Sequence, residues 1–285
     1  MRRLIAFGDS FTKYRWPTWP NIIGQNFDIT LNYGQPGCGN FVIFYRVMQA
    51  VMDKNIGVDD TVIVQWTDPA RIDFLDNNGG WPMLGDTSAE RLVMAGLDYY
   101  NSDQLTTVKQ LTYMVAVAKL LEETGCKWYY AFLNKFSMVH LDSHNEEFNV
   151  HYQNTMITPE YDLLKRTMQQ YKDHLIDKNF NDYIKETYGH NAWKYTCSYY
   201  HEGKHIEFLD THPSPMQFLF WIKDHAMRTI DGLSMDVMAR YADHAENYLN
   251  SVCPGGKYTP MGTHAAFDDF ERQNGYKDVT KSYHV

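Results

Sequence analysis

The sequence contains no run of about twenty apolar residues, so no helix in it spans a bilayer. It has no basic run either: 35 acidic against 26 basic residues give a net charge of −9. An acidic chain repels phosphate backbones and anionic lipid, which argues against nucleic acid and membrane surfaces as partners. The four cysteines (Cys38, Cys126, Cys197 and Cys253) form no CxxC pair. Zinc held by thiolates is therefore not expected, and buried free thiols are. There is no GxGxxG and no P-loop lysine–serine pair, so nucleotide cradling is not expected. Internal repeats and low-complexity linkers are also missing. After Met1-Arg2-Arg3, only Leu4 to Gly8 precede the charge of Asp9, whereas a secretory core needs roughly 7–15 apolar residues. A cytoplasmic protein is the expectation.

What is present suffices for a full core: of 285 residues, 44% are hydrophobic and 21% charged. The length suits one large domain or two small ones. The first half alternates strand and helix. Arg3 to Phe7, Ile29 to Tyr33 and Thr61 to Trp66 read as strands, the last buried on both faces. Between them lie a short helix within Pro17 to Gln25 and one capped by Asn40 with Phe41, Phe44, Met48 and Val51 in helical phase. A long helix follows Asp103, then a strand over Lys127 to Leu133. A further helix runs from Pro159 to about Asp177. His205 to Leu209 reads as a fifth strand, followed by helices near 215–230 and 235–250. Strand–helix alternation with helix-length crossovers predicts parallel strands in an α/β sheet covered on both faces. One domain over residues 1–253, with insertions at about 68–102 and 135–200, accounts for the pattern better than two domains. Residues 254–285 show no periodicity and are expected as an arm or tail.

In an open parallel sheet, reactive residues gather at the carboxyl ends of the strands. Three segments meet that rule: Gly8-Asp9-Ser10, Gly34 to Gly39, and Asp210-Thr211-His212-Pro213. A serine, glycine-freed backbone amides and an Asp/His pair are the parts of an acyl-transfer site. Ser214-Pro215-Met216-Gln217 reads as a capping box with proline at the first helical position, which starts a helix just beyond His212.

These segments also carry a family resemblance. Ile5-Ala6-Phe7-Gly8-Asp9-Ser10 resembles the nucleophile block of the SGNH (GDSL) hydrolases. Asn32-Tyr33-Gly34-Gln35-Pro36-Gly37 is similar to their glycine block, and Asp210-Thr211-His212-Pro213 to their last block. The resemblance spans the framework from residue 3 to about 230 and covers neither insertion nor the tail. It implies a three-layer α/β/α sandwich with a mostly parallel five-stranded sheet in the order 2-1-3-4-5. It also implies a serine-dependent ester hydrolase needing no metal or organic cofactor. Ser10 would be the nucleophile, His212 the base, Asp210 its orienting acid, and Gly37 an oxyanion donor.

The chain departs from the family pattern twice. Where the family reads Gly-x-Asn-Asp after strand three, this chain reads Thr67-Asp68-Pro69. Asp68 stands at the position of the Asn donor, and the Thr67 hydroxyl is the neighbouring candidate. The Asp-x-His spacing is also one residue shorter than the commoner Asp-x-x-His. Loss of one oxyanion donor costs about 100- to 1000-fold in turnover, which opens a second reading: a fold-retaining carbohydrate-binding protein with little activity.

A third reading, a zinc-dependent peptidase using His201, Glu202 and His205, comes from His201-Glu202-Gly203-Lys204-His205, which matches HExxH. That motif binds zinc only when a helix places both histidines on one face, and here glycine sits in its middle. His140, His144 and His151 lie in a polar insertion and read as surface histidines. Aromatic residues make up 15% of the chain. Several (Trp81, Tyr99, Tyr100, Tyr152, Tyr161, Tyr199 and Tyr200) fall in the insertions, where some could stack on sugar rings. With no greasy amphipathic lid in the sequence, the expected substrate is a small-molecule or glycan ester, with O-acetylated carbohydrate foremost.

Overall fold

The computed structural model describes residues 1–53, 55–68, 71, 73, 103–134, 159–201 and 203–276. Its centre is a parallel sheet of β1 (Arg3–Phe7), β2 (Ile29–Asn32), β3 (Asp60–Trp66) and β4 (Lys127–Phe132), in the order β2-β1-β3-β4. The crossovers carry α1 (Trp19–Gly24), α2 (Asn40–Met52) and α3 (Asp103–Thr124). Later helices are α4 (Pro159–Gln169), α5 (Phe180–Tyr188), α6 (Pro215–Trp221), α7 (Met235–Val252) and α8 (Pro260–Gln273).

Successive side chains of a strand point to opposite faces, so the apolar strands feed two cores. Leu4, Ala6, Ile63 and Ala131 pack with Ile22 and Ile23 of α1, Phe218 of α6, and Tyr241 and Leu249 of α7. Ile5, Phe7, Val62, Val64 and Tyr130 pack on the other side with Val42 and Val47 of α2 and Leu121 of α3. The sheet is thus covered on both faces, in three layers. All seven residues of β3 are buried. None of the four cysteines is in a disulfide, and all four are buried. Among the described residues, no helix is long and apolar enough to cross a membrane.

The fifth strand differs from the expectation. His205 to Leu209 lies in β6 (Lys204–Asp210), antiparallel to β5 (Tyr195–His201), in a second sheet of order β6-β5-β7. Only residues 202 and 203 separate β5 from β6, far too few for the crossover that a parallel neighbour needs. Gly203, at φ 77°, occupies the turn. The place beside β4 is taken instead by one parallel bridge, Tyr130 to Leu175, with Ile176 N donating to Tyr130 O at 2.8 Å.

Two further expectations are corrected. Gly39, not Asn40, is the N-cap of α2, and the Asp73 carboxylate accepts from Gly39 N and Val42 N. Asn40 instead brackets Thr67: its side chain accepts from Thr67 N at 2.9 Å and donates to Thr67 O at 3.1 Å. Residues 254–276 are structured. β7 (Lys257–Tyr258) pairs in parallel with β5, and Phe267 and Phe270 of α8 join the first core. The small number of apolar residues in this stretch hid the contribution in the sequence.

Phe270 is 2% exposed and Phe220 37% exposed. Phe270→Ala is expected to destabilise the protein by about 3–5 kcal/mol, through lost burial plus the cavity left behind. Phe220→Ala should cost well under half of that; denaturant unfolding of the two variants checks both values.

Candidate active site

The loop after β1 is fixed before any reacting group is considered. Thr12 N and Lys13 N both donate to Asp9 O at 3.0 Å, turning the chain sharply around Ser10. The Thr12 hydroxyl donates to Gln65 Oε1 at 2.7 Å, and Thr12 O accepts from Thr18 Oγ1 at 2.6 Å and Asn32 Nδ2 at 2.8 Å. Gly8 makes this turn possible, because a Cβ there would lie 2.0 Å from Thr12 Oγ1. Gln35 N donates to Gly8 O at 2.9 Å and ties the second loop to the first. Gln35-Pro36-Gly37-Cys38 closes with Cys38 N on Gln35 O, and Gly37 has φ 77°. Proline at the second position and a left-handed glycine at the third are the requirements of a type II turn.

Asp210 ends β6, and His212 follows in the loop before α6. Ser214 and Gln217 form the expected capping box, with Pro215 in the first turn. The indole of Trp16 donates to Pro213 O at 2.8 Å and holds this loop against the first. The result places His212 Nε2 at 2.7 Å from Ser10 Oγ, across 202 residues of sequence. On the other side of the ring, Nδ1 lies 2.6 Å from Asp210 Oδ1. Asp210 Oδ1 also accepts from His212 N at 2.8 Å. That turn, an aspartate bonding the amide two residues on, is how the short Asp-x-His spacing is accommodated.

The tautomer follows from the acceptors. Burial opposes the charge of Asp210, but the His212 hydrogen bond and charge and the Tyr14 and Tyr258 hydroxyls outweigh it and hold its pKa below the ordinary value. An ionised carboxylate only accepts, so Nδ1 carries the imidazole proton and Nε2 accepts from Ser10. Asp210 therefore contributes to stability above the unfolded carboxylate pKa and loses that contribution as pH falls through its lowered native value.

Thr67 and Asp68 do not present donors in the way the sequence suggested for Thr67. The Thr67 hydroxyl donates to Asp9 Oδ2 at 2.5 Å, and Asp68 Oδ2 accepts from Asn134 Nδ2 at 2.9 Å. The HExxH-like segment is the end of the β5–β6 hairpin, with His201 opposite Lys204. No helix sets its histidines on one face, and His205 Nε2 instead lies 2.7 Å from Ser198 Oγ. Among the described residues, no cluster of three or more His, Cys, Asp or Glu could hold a metal ion. Glu202, His140, His144, His151, Trp81, Tyr99, Tyr100 and Tyr152 lie outside the described residues.

Several residues of the site were not anticipated from sequence. Asp9 is fully buried and receives Phe11 N at 2.9 Å and Arg71 Nη1 at 2.8 Å, besides Thr67. Arg71 also donates to Cys38 O at 3.1 Å, so one guanidinium links the serine loop and the glycine loop. Beside Arg71 opens a cavity of about 260 Å³, whose walls include Asn40, Phe41, Lys109, Gln110 and Tyr113. Tyr14 stacks on His212 with centroids 3.6 Å apart and planes 12° from parallel. Tyr14 also donates to Asp210 Oδ2 at 2.5 Å, and Tyr258 donates to the same oxygen. An arginine in a polar insertion, a tyrosine 4 residues after Ser10 and another 248 residues after it carry no local signal of this kind.

No family model matches the chain, and no curated protein matches it in sequence. Among solved structures, a member of the lipolytic protein G-D-S-L family from Veillonella parvula is similar at 13% identity and a TM-score of 0.39. That match covers 79% of this chain and 97% of the other. Protein YXIM from Bacillus subtilis is similar at 12% identity and a TM-score of 0.37, over 89% of this chain. The chain spans 58% of that second protein's length.

Arg71→Ala would leave the Asp9 carboxylate buried without its cation. Breaking a buried pair from one side costs about 3–5 kcal/mol, so a loss of that order in urea-determined stability is the expected outcome.

Proposed function

We propose that this protein is a serine-dependent hydrolase of carboxylic esters acting through an acyl-enzyme on Ser10. The observation that carries the reading is the hydrogen-bonded line Ser10 Oγ, His212 Nε2, His212 Nδ1, Asp210 Oδ1, with spacings of 2.7 Å and 2.6 Å. Ser10 Oγ attacks the acyl carbon while its proton passes to His212 Nε2. The carbonyl π pair moves onto oxygen, and the amides of Ser10 and Gly37 are the proposed donors to that oxyanion. Collapse breaks the bond to the alcohol, which leaves with the proton from His212. Water then attacks the acyl-enzyme, gives its proton to His212, and frees the acid as Ser10 regains its hydrogen. Asp210 stays ionised and stabilises the imidazolium formed in each half.

For the alcohol side of the substrate the proposed group is an O-acetylated carbohydrate, and its proposed seat is the cavity beside Arg71, whose lining does not itself include Ser10 or His212. Gln110 and Lys109 offer polar groups, and Phe41 and Tyr113, with ring centroids 5.8 Å apart, offer apolar faces. That mixture suits a sugar ring, whose faces are apolar and whose rim is polar. A binding protein with little turnover is the second reading, favoured by the commitment of the Thr67 hydroxyl to Asp9.

A burst of p-nitrophenol from p-nitrophenyl acetate, abolished by Ser10→Ala, is the expected result; no release from the wild-type protein would favour the binding reading. Asp210→Asn should lower turnover by about 10,000-fold, since an amide no longer fixes the productive tautomer. On acetylated oligosaccharide, Tyr113→Ala should raise KM several-fold, by about 1 kcal/mol of lost stacking, while turnover of p-nitrophenyl acetate stays unchanged.

A further inference from the structure

The outer oxygen of Asp210 has a surrounding that the proposed reaction does not by itself explain. Oδ1 serves His212 twice, through the backbone N–H and Nδ1. Oδ2 receives two phenol hydroxyls, from Tyr14 in the loop after β1 and from Tyr258 in β7. The two hydroxyl oxygens lie 3.1 Å from each other, so both converge on one atom. Asp210 is 1% exposed, and water has little access to replace either donor. Trp16 packs edge-on against both rings, at centroid distances of 4.7 Å and 5.4 Å, and fixes where they stand.

From this arrangement we infer that Tyr14 and Tyr258 are positioning residues for His212, acting through Asp210, and that the segment after residue 254 completes the site. The inference rests on the hydrolase reading of Ser10 and His212 and adds a device to it. An aspartate two residues before its histidine holds the imidazole by one oxygen, and its carboxylate plane is free to turn about the Cβ–Cγ bond. Two donors on the opposite oxygen remove that freedom. They also draw electron density from the carboxylate, so it binds the Nδ1 proton less strongly than a bare carboxylate would.

The other charged groups around this cluster are few. The Arg15 guanidinium lies over the Tyr14 and Tyr258 rings, at 5.7 Å and 5.9 Å from their centroids. Glu246 accepts from Met216 N at the start of α6 and is paired with Lys194. Burial and the charge of Asp210 push both phenols well above the ordinary tyrosine value, so they remain donors at every working pH.

The test compares Tyr14→Phe, Tyr258→Phe and the double variant with wild type, each keeping its ring. Tyr248→Phe serves as a control, since it removes a hydroxyl that donates only to Ala266 O at 3.1 Å and lies outside the site. Each single variant should lower kcat about 10-fold, the worth of one hydrogen bond to a charged group, with KM within about twofold. The acid limb of kcat/KM and the NMR titration of the His212 ring should both move to higher pH, by about half a unit or more in the double variant. Unfolding midpoints check that each variant is folded. Wild-type kcat and an unmoved His212 titration in the double variant would overturn the inference. Labelling of Ser10 by a fluorophosphonate in the wild type separates the two levels. If Ser10 reacts and the titration does not move, only the tyrosine inference fails. If Ser10 does not react, the hydrolase reading fails, and a moved titration still establishes the tyrosine clamp on His212.

Discussion

A carboxylate taken out of water must find hydrogen-bond donors, and the architecture around this site answers that demand at Asp210. Its two oxygens receive a backbone amide, an imidazole and two phenols. Those donors come from three distant stretches of chain: the loop after β1, the loop after β6, and β7. An unpaired buried charge costs several kcal/mol, so none of the three can drift without exposing or stranding the carboxylate. The same constraint fixes the His212 ring, and through it the relation of His212 to Ser10. The alignment of Ser10, His212 and Asp210 and the stability of the fold are coupled in one atom cluster.

Asp9 repeats the principle one residue before the serine. It is buried with Arg71, Thr67 and the Phe11 amide as donors, which joins β1, β3 and the insertion after β3. The glycine loop is bound into this second cluster through Cys38 O and Gly8 O. Ser10 is thus held between two buried acids, each serving as an anchor for a different half of the site. This arrangement explains why Thr67 is no free donor toward a substrate: its proton satisfies Asp9.

The strands of the parallel sheet were readable because burial on both faces demands continuous apolar runs, and Leu4 to Phe7 and Thr61 to Trp66 supply them. Ser10, His212 and Asp210 were singled out because short motifs follow predicted strands; Ser10 does follow β1 of the parallel sheet, whereas Asp210 ends β6 of the second sheet, where that rule does not apply. Their bonding to one another was not readable, since it depends on loops held by Trp16 and Thr12. His205 to Leu209 was misplaced for a definite reason. Periodicity marks a strand but not its partner, and a connection of only two residues between β5 and β6 decided the pairing. Residues 254–276 were missed because, among the described side chains of α8, the buried apolar ones are Phe267 and Phe270, too few to register as a periodic pattern.

By itself the sequence determined the class of fold, where the first four strands lie along the chain, the capping box that starts α6, and which residues beside predicted strand ends carry a hydroxyl, an imidazole and a carboxylate. These are local properties, fixed by side-chain chemistry and spacing within about ten residues. Tertiary structure decided which donors surround Asp210 and Asp9, where the second sheet lies, and that Tyr258 reaches the site. Those outcomes depend on contacts between segments up to 244 residues apart, and only the packing of the whole chain brings such segments within hydrogen-bond reach.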